Sequence, residues 1–250
     1  MAASPPRLPQ GYALIALDAV GSTNDEARAR ARSGAADGTV VWARSQTAGR
    51  GRRGRIWASP AGNLYVSLLL RPAGPPATVA QLGFVAALAL ADALHAAAPY
   101  AATTLKWPND VLLGGRKLAG ILLESEGARR DGVDALILGL GVNLAAHPAD
   151  AEFPATDLRA EGTTLAAEAA LESFVTAFDR WRQRWVREGF APARAAWLAR
   201  AHGLGRPIRV RLADATLEGI FADLDAEGFL LLDTRDGRRR VSAGDVFFAS

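Results

Sequence analysis

Four stretches carry residues suited to handling anions. The first is Gly49-Arg50-Gly51-Arg52-Arg53-Gly54-Arg55, in which four arginines alternate with three glycines. A guanidinium presents a planar fork of donors that matches a carboxylate or a phosphate. Glycine opens backbone conformations barred to other residues, so such a segment is costly to order, and an anion would order it. The second and third stretches are Lys106-Trp107-Pro108-Asn109-Asp110 and Arg116-Lys117-Leu118-Ala119-Gly120-Ile121-Leu122. The fourth, Gly139-Leu140-Gly141-Val142-Asn143, closes an apolar run, where glycines let a ligand approach the backbone. Lys106 and Lys117 are the only lysines among 29 basic residues, the rest being arginine. Lysine is a compact ammonium on a flexible stem, so two lysines in neighbouring motifs are a directional clue.

Three readings of the arginine loop compete. Gly49, Gly51 and Gly54 fit G-x-G-x-x-G, but a dinucleotide site needs a strand directly before and a helix directly after. Here Ile56-Trp57 runs through Ser59-Pro60-Ala61-Gly62 into another strand, so that reading is rejected. An arginine/glycine nucleic-acid segment is usually repeated and interleaved with aromatics. One copy fits poorly, although a small C-terminal β unit keeps that alternative open. The third reading is a mobile loop, hinged by glycine, that closes over a small anion.

The elements that must position these residues follow from periodicity. Tyr12–Leu17, Thr39–Ala43 and Leu64–Leu70 read as strands, with Thr103–Trp107 extended and Ala135–Leu140 a further buried strand. Val111–Leu113, a Gly114-Gly115 turn and Lys117–Glu124 predict a hairpin. Ser22 with Asp25, or Thr23 with Glu26, predicts a capping box. A long apolar helix is expected from Pro75-Pro76 to about Ala97. The loop 145–162 precedes a helix whose Leu171, Phe174, Phe178, Trp181 and Trp185 form a packing stripe, ended by Gly189. Beyond Gly203 the period becomes two, which predicts an all-β unit too small for a deep core of its own and therefore docked on the rest.

Composition removes other classes. The 250 residues suit one large and one small domain, and half of them are hydrophobic. No cysteine occurs, and the three histidines lie far apart, which argues against a disulfide framework, a thiolate metal site or a zinc site. The N-terminus does not read as a signal peptide, and Val79–Leu94 reads as a core helix rather than a membrane span, so a cytoplasmic protein is expected. A net charge of +3 gives little support to nucleic-acid binding.

Taken in order, Ser22-Thr23-Asn24, Gln46 to Arg55 with Trp57, Asn63-Leu64-Tyr65, KWPND at 106–110, RKLAGIL at 116–122 and GLGVN at 139–143 resemble the biotin protein ligases of the monofunctional type. The resemblance runs from about Gly11 to Asn143, and the C-terminal β unit is similar to the family's small terminal barrel. It implies an α+β fold: a mixed sheet with helices packed on it over residues 11–202, and a small all-β barrel over 203–250. It implies a two-step ligase. Biotin and ATP, with Mg²⁺ brought by the nucleotide, give biotinyl-5'-AMP and pyrophosphate. The biotinyl group then passes to a lysine of a biotin carboxyl carrier protein. Lipoate ligases share the fold type and remain the enzymatic alternative. Only 21 residues precede Ser22, so no winged helix and no operator binding are expected; a homodimer is possible.

The resemblance also implies roles. Ser22, Thr23, Asn24, Gln46, Arg50, Gly51, Arg52 and Lys117 are expected around biotin or its adenylate. Arg52, Arg53, Lys117, Asn109 and Asn143 are expected near the nucleotide. Lys117, Arg52, Lys106 and Asp110 are the expected catalytic groups. Asp110 is either a base for the incoming amine or a structural acceptor in a turn. Trp107 is either a ligand wall or an ordinary core residue.

Overall fold

Two strands set the frame by being buried on both faces, β3 (Leu64–Leu70) and β7 (Ala135–Val142). A computed structural model describes residues 6–248 except 98, 100, 101 and 128–131. With β1 (Ala13–Val20), β2 (Thr39–Gln46), β4 (Thr103–Lys106), β5 (Asp110–Leu113) and β6 (Arg116–Glu126) these strands form a seven-stranded sheet, ordered β1-β2-β3-β7-β6-β5-β4. The β1–β2 pair is parallel, joined by α1 (Thr23–Arg32), and the other neighbours are antiparallel.

Strand alternation assigns the two faces. Leu64, Val66, Leu68 and Leu70 of β3 and Leu136, Leu138 and Leu140 of β7 enter the main core. There they meet α3 (Leu82–Ala97) and α4 (Ala167–Glu188). Each such leucine, fully removed from water, contributes about 1.5–3 kcal/mol. On the opposite face Val41, Leu69, Ala135 and Ile137 pack under Ala27 and Ala31 of α1. Farther along that face come Ser67, Gly139 and Gly141, small residues that leave the sheet bare beyond the helix start.

The apolar helix expected from Pro75-Pro76 is two helices, α2 (Pro76–Ala80) and α3, divided at Gln81. Gln81 Oε1 accepts the indole N–H of Trp185 at 2.9 Å, tying the division to α4. Most of α3 lies in the core, as the sequence reading expected. Helix α5 (Ala191–Leu198) follows α4 after Gly189, which takes positive φ at the break.

The C-terminal β unit is a five-stranded antiparallel sheet, with β8 (Pro207–Arg211), β9 (Thr216–Leu224), β10 (Leu230–Thr234), β11 (Gly237–Val241) and β12 (Asp245–Phe248) ordered β11-β10-β9-β8-β12. Its inward Ile208, Val210, Phe221, Leu224 and Leu232 join the main core, so it docks on the rest as expected. Trp107 Nε1 donates to Gly228 O at 3.1 Å across that junction. Trp107 is a core residue that also lines the cavity described below, so the two sequence readings are not exclusive. Arg238 and Arg240 pair with Asp233 and Asp225 of their own sheet, as expected of a solvated hairpin.

Candidate active site

The hairpin β4–β5 explains the spacing of KWPND. Lys106 and Asp110 are cross-strand partners that close a three-residue loop, Trp107-Pro108-Asn109. Strand β6 pairs next to β5, with a register shift at Val111/Leu112. Lys117 Nζ comes to 2.7 Å from Asp110 Oδ1, an ion pair not aligned as a hydrogen bond. The Lys117 backbone is held by 154–156: its N–H donates to Pro154 O at 2.7 Å and its carbonyl accepts Thr156 N–H at 3.0 Å.

Lys106 is buried and makes no ion pair among the described residues; its ammonium lies 3.7 Å from the Phe153 ring centroid. Burial pulls its pKa down to about 8, although Asp110 opposes that shift. A cation so placed gains from any anion that enters.

The floor comes from the bare face of the sheet. Gly120 and Gly141 are register partners on β6 and β7. A Cβ at Gly141 would meet the Trp57 ring at 2.6 Å, and one at Gly120 would meet it at 3.0 Å. Glycine is required there because an indole lies against the backbone. A Cβ at Gly139 would stand 2.2 Å from Asn24 Oδ1.

The start of α1 supplies neutral hydrogen-bonding groups. Ser22 occupies the N-cap in extended conformation, but its side chain makes no capping bond, so the expected capping box does not form. Gln46 takes that place. Its Oε1 accepts Thr23 N–H at 2.8 Å and Thr23 Oγ1–H at 3.1 Å, and its Nε2 donates to Ser59 Oγ at 2.9 Å. Ser67 Oγ lies 2.6 Å from Asn24 Oδ1 and 2.8 Å from Thr23 Oγ1. Asn24 Nδ2 donates to Glu124 at 2.6 Å. Ser67 and Glu124 were missed in the sequence, because each lies two residues beyond a motif in its strand, Asn63-Leu64-Tyr65 and RKLAGIL; only the fold brings them beside Asn24.

The arginine loop forms the rim. Arg50 donates to both oxygens of Asp25 at 2.5 Å and reaches Glu124 at 3.4 Å. Arg52 donates to Asn109 Oδ1 at 3.2 Å and Gly244 O at 3.3 Å, and burial lowers its pKa. Arg53, expected near the nucleotide, is instead outside the cavity wall and pairs with Asp245 at 3.2 Å. Asn109 Nδ2 is tied to Ile121 O at 2.7 Å, and Asn143 Nδ2 to Thr156 O at 3.1 Å.

These pieces surround one cavity of about 410 Å³. Ser22, Thr23, Asn24, Gln46, Arg50 and Gly51 line it together with Arg52, Lys106, Asn109, Asp110, Lys117 and Asn143. The positive groups of three separated segments therefore share a single pocket. The uncharged polar groups of Ser22, Thr23, Asn24 and Gln46 line it together with the cations Arg52, Lys106 and Lys117, and Asp110, Glu152 and Asp245 are in the same wall.

The same conclusion follows from relatives. The model of the Biotin/lipoate A/B protein ligase family matches residues 18–143, and that of the Biotin protein ligase C terminal domain matches 203–249. The chain is 48% identical, over 91% of its length and 97% of the relative's, to a biotin–[acetyl-CoA-carboxylase] ligase of Paracoccus denitrificans. It is similar to the structure of a biotin protein ligase from Aquifex aeolicus in complex with biotin and ATP (TM-score 0.79, 28% identity, covering 94% of this chain and 97% of that one). It is also similar to a biotin protein ligase from Leishmania major in complex with biotinyl-5-AMP (TM-score 0.64, 27% identity, covering 92% and 98%). A sheet laid bare by paired glycines, two lysines on adjacent hairpins and an arginine rim are thus set in a chain that belongs to the biotin/lipoate A/B protein ligase family.

Proposed function

We propose that the chain activates biotin with ATP to biotinyl-5'-AMP, releasing pyrophosphate, and transfers the biotinyl group to a lysine of a biotin carboxyl carrier domain. One observation carries this reading: Arg52, Lys106 and Lys117 converge on one cavity that the uncharged polar side chains of Ser22, Thr23, Asn24 and Gln46 also line. The relatives named above are biotin ligases, which favours biotin over lipoate.

In the first step the nucleophile is the biotin carboxylate. With a pKa of about 4 it is ionised at neutral pH and needs no base. The obstacle is repulsion between a carboxylate and a triphosphate, which fixed cations remove. Lys117, Lys106 and Arg52 supply that charge in a pocket partly shielded from water. The fixed amide of Gln46 and the Ser22 and Thr23 hydroxyls suit an uncharged ureido ring, and a site built to pair polar edges rejects analogues that lack them. Asn109 and Asn143 stand on the nucleotide side. Arg52 touches Asn109 and acts there from the rim, whereas Arg53 acts outside the cavity. Among the described residues no group of three His, Cys, Asp or Glu side chains could cage a metal. Mg²⁺ brought by the triphosphate would add countercharge.

In the second step the nucleophile is a lysine amine, of which only about one in a thousand or fewer is neutral at pH 7. Asp110 is the carboxylate at hand. It stands against Lys117 here, an arrangement that serves positioning as well as proton acceptance. Asp110→Asn separates these roles. Normal adenylate formation with about 100-fold slower transfer assigns it the proton, while failure of adenylation assigns it the placement of Lys117.

The defining assay is incubation with labelled biotin and ATP–Mg²⁺. Pyrophosphate release and a retained biotinyl-adenylate are expected. Turnover with lipoate but not biotin would replace this reading with the lipoate one. Salt-sensitive retention on RNA without pyrophosphate release would replace it with the binding-module one.

A further inference from the structure

Asp245, the first residue of β12, belongs to the C-terminal sheet yet faces the arginine loop. It is buried, and its Oδ2 meets three guanidiniums: Arg53 at 3.2 Å, Arg211 at 3.4 Å, and Arg55 in a short bond. Burial would raise its pKa, but Arg55 and Arg53 outweigh that and hold it below the ordinary carboxylate range. The neighbouring Glu152 also reaches Arg55 at 3.7 Å and Arg211 at 2.6 Å, but not Arg53.

The loop backbone is shaped for this contact. Gly51 N–H donates to Arg55 O at 2.7 Å, and Arg50 and Ile56 form a β-bridge, so the segment between them is a closed turn. Within it Arg53 takes φ 57°, ψ 29°, a left-handed conformation that disfavours a non-glycine residue. That reversal sends Arg53 to Asp245, so that it does not line the cavity itself, while its neighbour Arg52 points to Asn109 and the cavity. Arg52 also donates to the carbonyl of Gly244, the residue before Asp245. Two adjacent arginines are thus divided between a carboxylate on the second sheet and an anion site on the first.

We propose that Asp245 is the positioning residue of the arginine loop: by holding Arg53 and Arg55 it keeps the loop across the cavity mouth with Arg52 turned inward. The C-terminal sheet, which lends Asp245 and Val246 to the cavity wall, thereby takes part in the reaction by latching the lid that keeps water from the activated acyl group. Without Asp245, Arg53, Arg55 and Arg211 would keep only Glu152 nearby as counter-charge, and Arg52 and Lys106 only Asp110. Their mutual repulsion would release the loop. The inference rests on the adenylate-forming reading for its catalytic consequence, but not for its structural one.

The test therefore has two independent arms, run on the full chain with Asp245→Asn, Asp245→Glu and Arg211→Gln. In the first, trypsin cleavage after Arg53 and Arg55 is followed by mass spectrometry without substrates. Cleavage of a transiently opened segment reports its opening equilibrium, and Asp245→Asn is expected to speed it about tenfold relative to other bonds. In the second arm, hydrolysis of biotinyl-adenylate without acceptor is expected to rise about tenfold in Asp245→Asn, with KM for biotin changed less than about threefold. Asp245→Glu should restore both readouts towards wild type, and Arg211→Gln should leave both unchanged. Should Asp245→Asn fail to fold, Arg53→Gln removes the same pair from the loop side, and faster cleavage after Arg55 is expected. Unchanged loop cleavage in the folded variant, or acceleration equal at all bonds, overturns the latch. Absence of pyrophosphate release by wild type would instead overturn the functional reading and leave the cleavage result standing.

Discussion

The floor and the rim of the cavity are held by different forces. On the floor, Gly120 faces Gly141 through strand register, and Lys106 faces Asp110 across a hairpin. Those positions are fixed by backbone ladders inside a sheet whose other face is the main core. On the rim, Arg50, Arg53 and Arg55 are placed by ion pairs to Asp25 and Asp245. Ion pairs that keep an exposed partner, as Arg50–Asp25 does and as Arg53 and Arg55 do on the buried Asp245, hold a position without locking it as a backbone ladder does. The floor is therefore suited to geometry that must not change between ligands. The rim is suited to opening and closing.

The comparison predicts its largest effect at a charge on the floor. Lys117→Gln keeps a polar side chain on β6 but removes the cation beside Asp110. Pyrophosphate release with biotin and ATP should fall by about three orders of magnitude, with an unchanged circular dichroism spectrum. A loss below about tenfold would mean that Lys106 and Arg52 already supply the charge, and the floor would lose its priority.

Next in size is the shape of the floor. Gly141→Ala places a methyl group 2.6 Å from the Trp57 ring, which must swing away. Biotin affinity by calorimetry should drop about 100-fold, since a 1 Å misplacement costs about that much. Tryptophan emission should shift as the Trp57 indole leaves the sheet. Unchanged affinity would show that the ligand does not use the bare patch.

The third effect is a pH dependence that separates function from stability. Lys106 is depressed from an ordinary 10.5 to about 8, chiefly by burial. The folded state thus penalises its charged form. That cost is fully present below about pH 8 and is relieved as pH rises towards 10.5. Activity should move the other way. kcat/KM for ATP reports the free enzyme, and it should fall about tenfold per unit above pH 8 as the ammonium is lost. In Lys106→Arg that limb should vanish, whatever the residual rate. A limb that persists in the variant belongs to another group.

The floor was also the more legible region. Strand β3 has the bounds read from its apolar run, and the hairpin turn at Gly114-Gly115 was visible because period two and paired glycines are local signals. KWPND and RKLAGIL announced their cations by residue type. The partners of the rim were not legible. Asp25 looked like part of a capping box, and Asp245 lies 192 residues from Arg53 in a sheet with no motif. The division at Gln81 was hidden because glutamine is a good helix former; a tertiary bond from Trp185 marks the site. Arg53 was assigned to the nucleotide because loop composition does not reveal which of two adjacent arginines turns inward. Its left-handed φ decides that, and it is a property of the folded turn.

Arg50 gives the smallest effect and tests the rim directly. The resemblance places it at biotin, and it does line the cavity, yet its guanidinium is already forked onto Asp25. Half of the Asp25 side chain is exposed, so the pair is screened and worth little by itself. If the pair persists with ligand bound, Arg50→Ala only loosens the rim, and KM for biotin should rise about threefold, less at high salt. If Arg50 instead leaves Asp25 for the ligand, binding must first break that pair. Asp25→Asn would then tighten biotin several-fold, and Arg50→Ala would weaken it tenfold or more. The geometry favours the first result, because Glu124 stands beside Arg50 and would repel the carboxylate that the second requires. Calorimetry on the two single variants and the double variant decides between them. Coupling between the substitutions that disappears when biotin is bound would transfer Arg50 from the rim to the ligand.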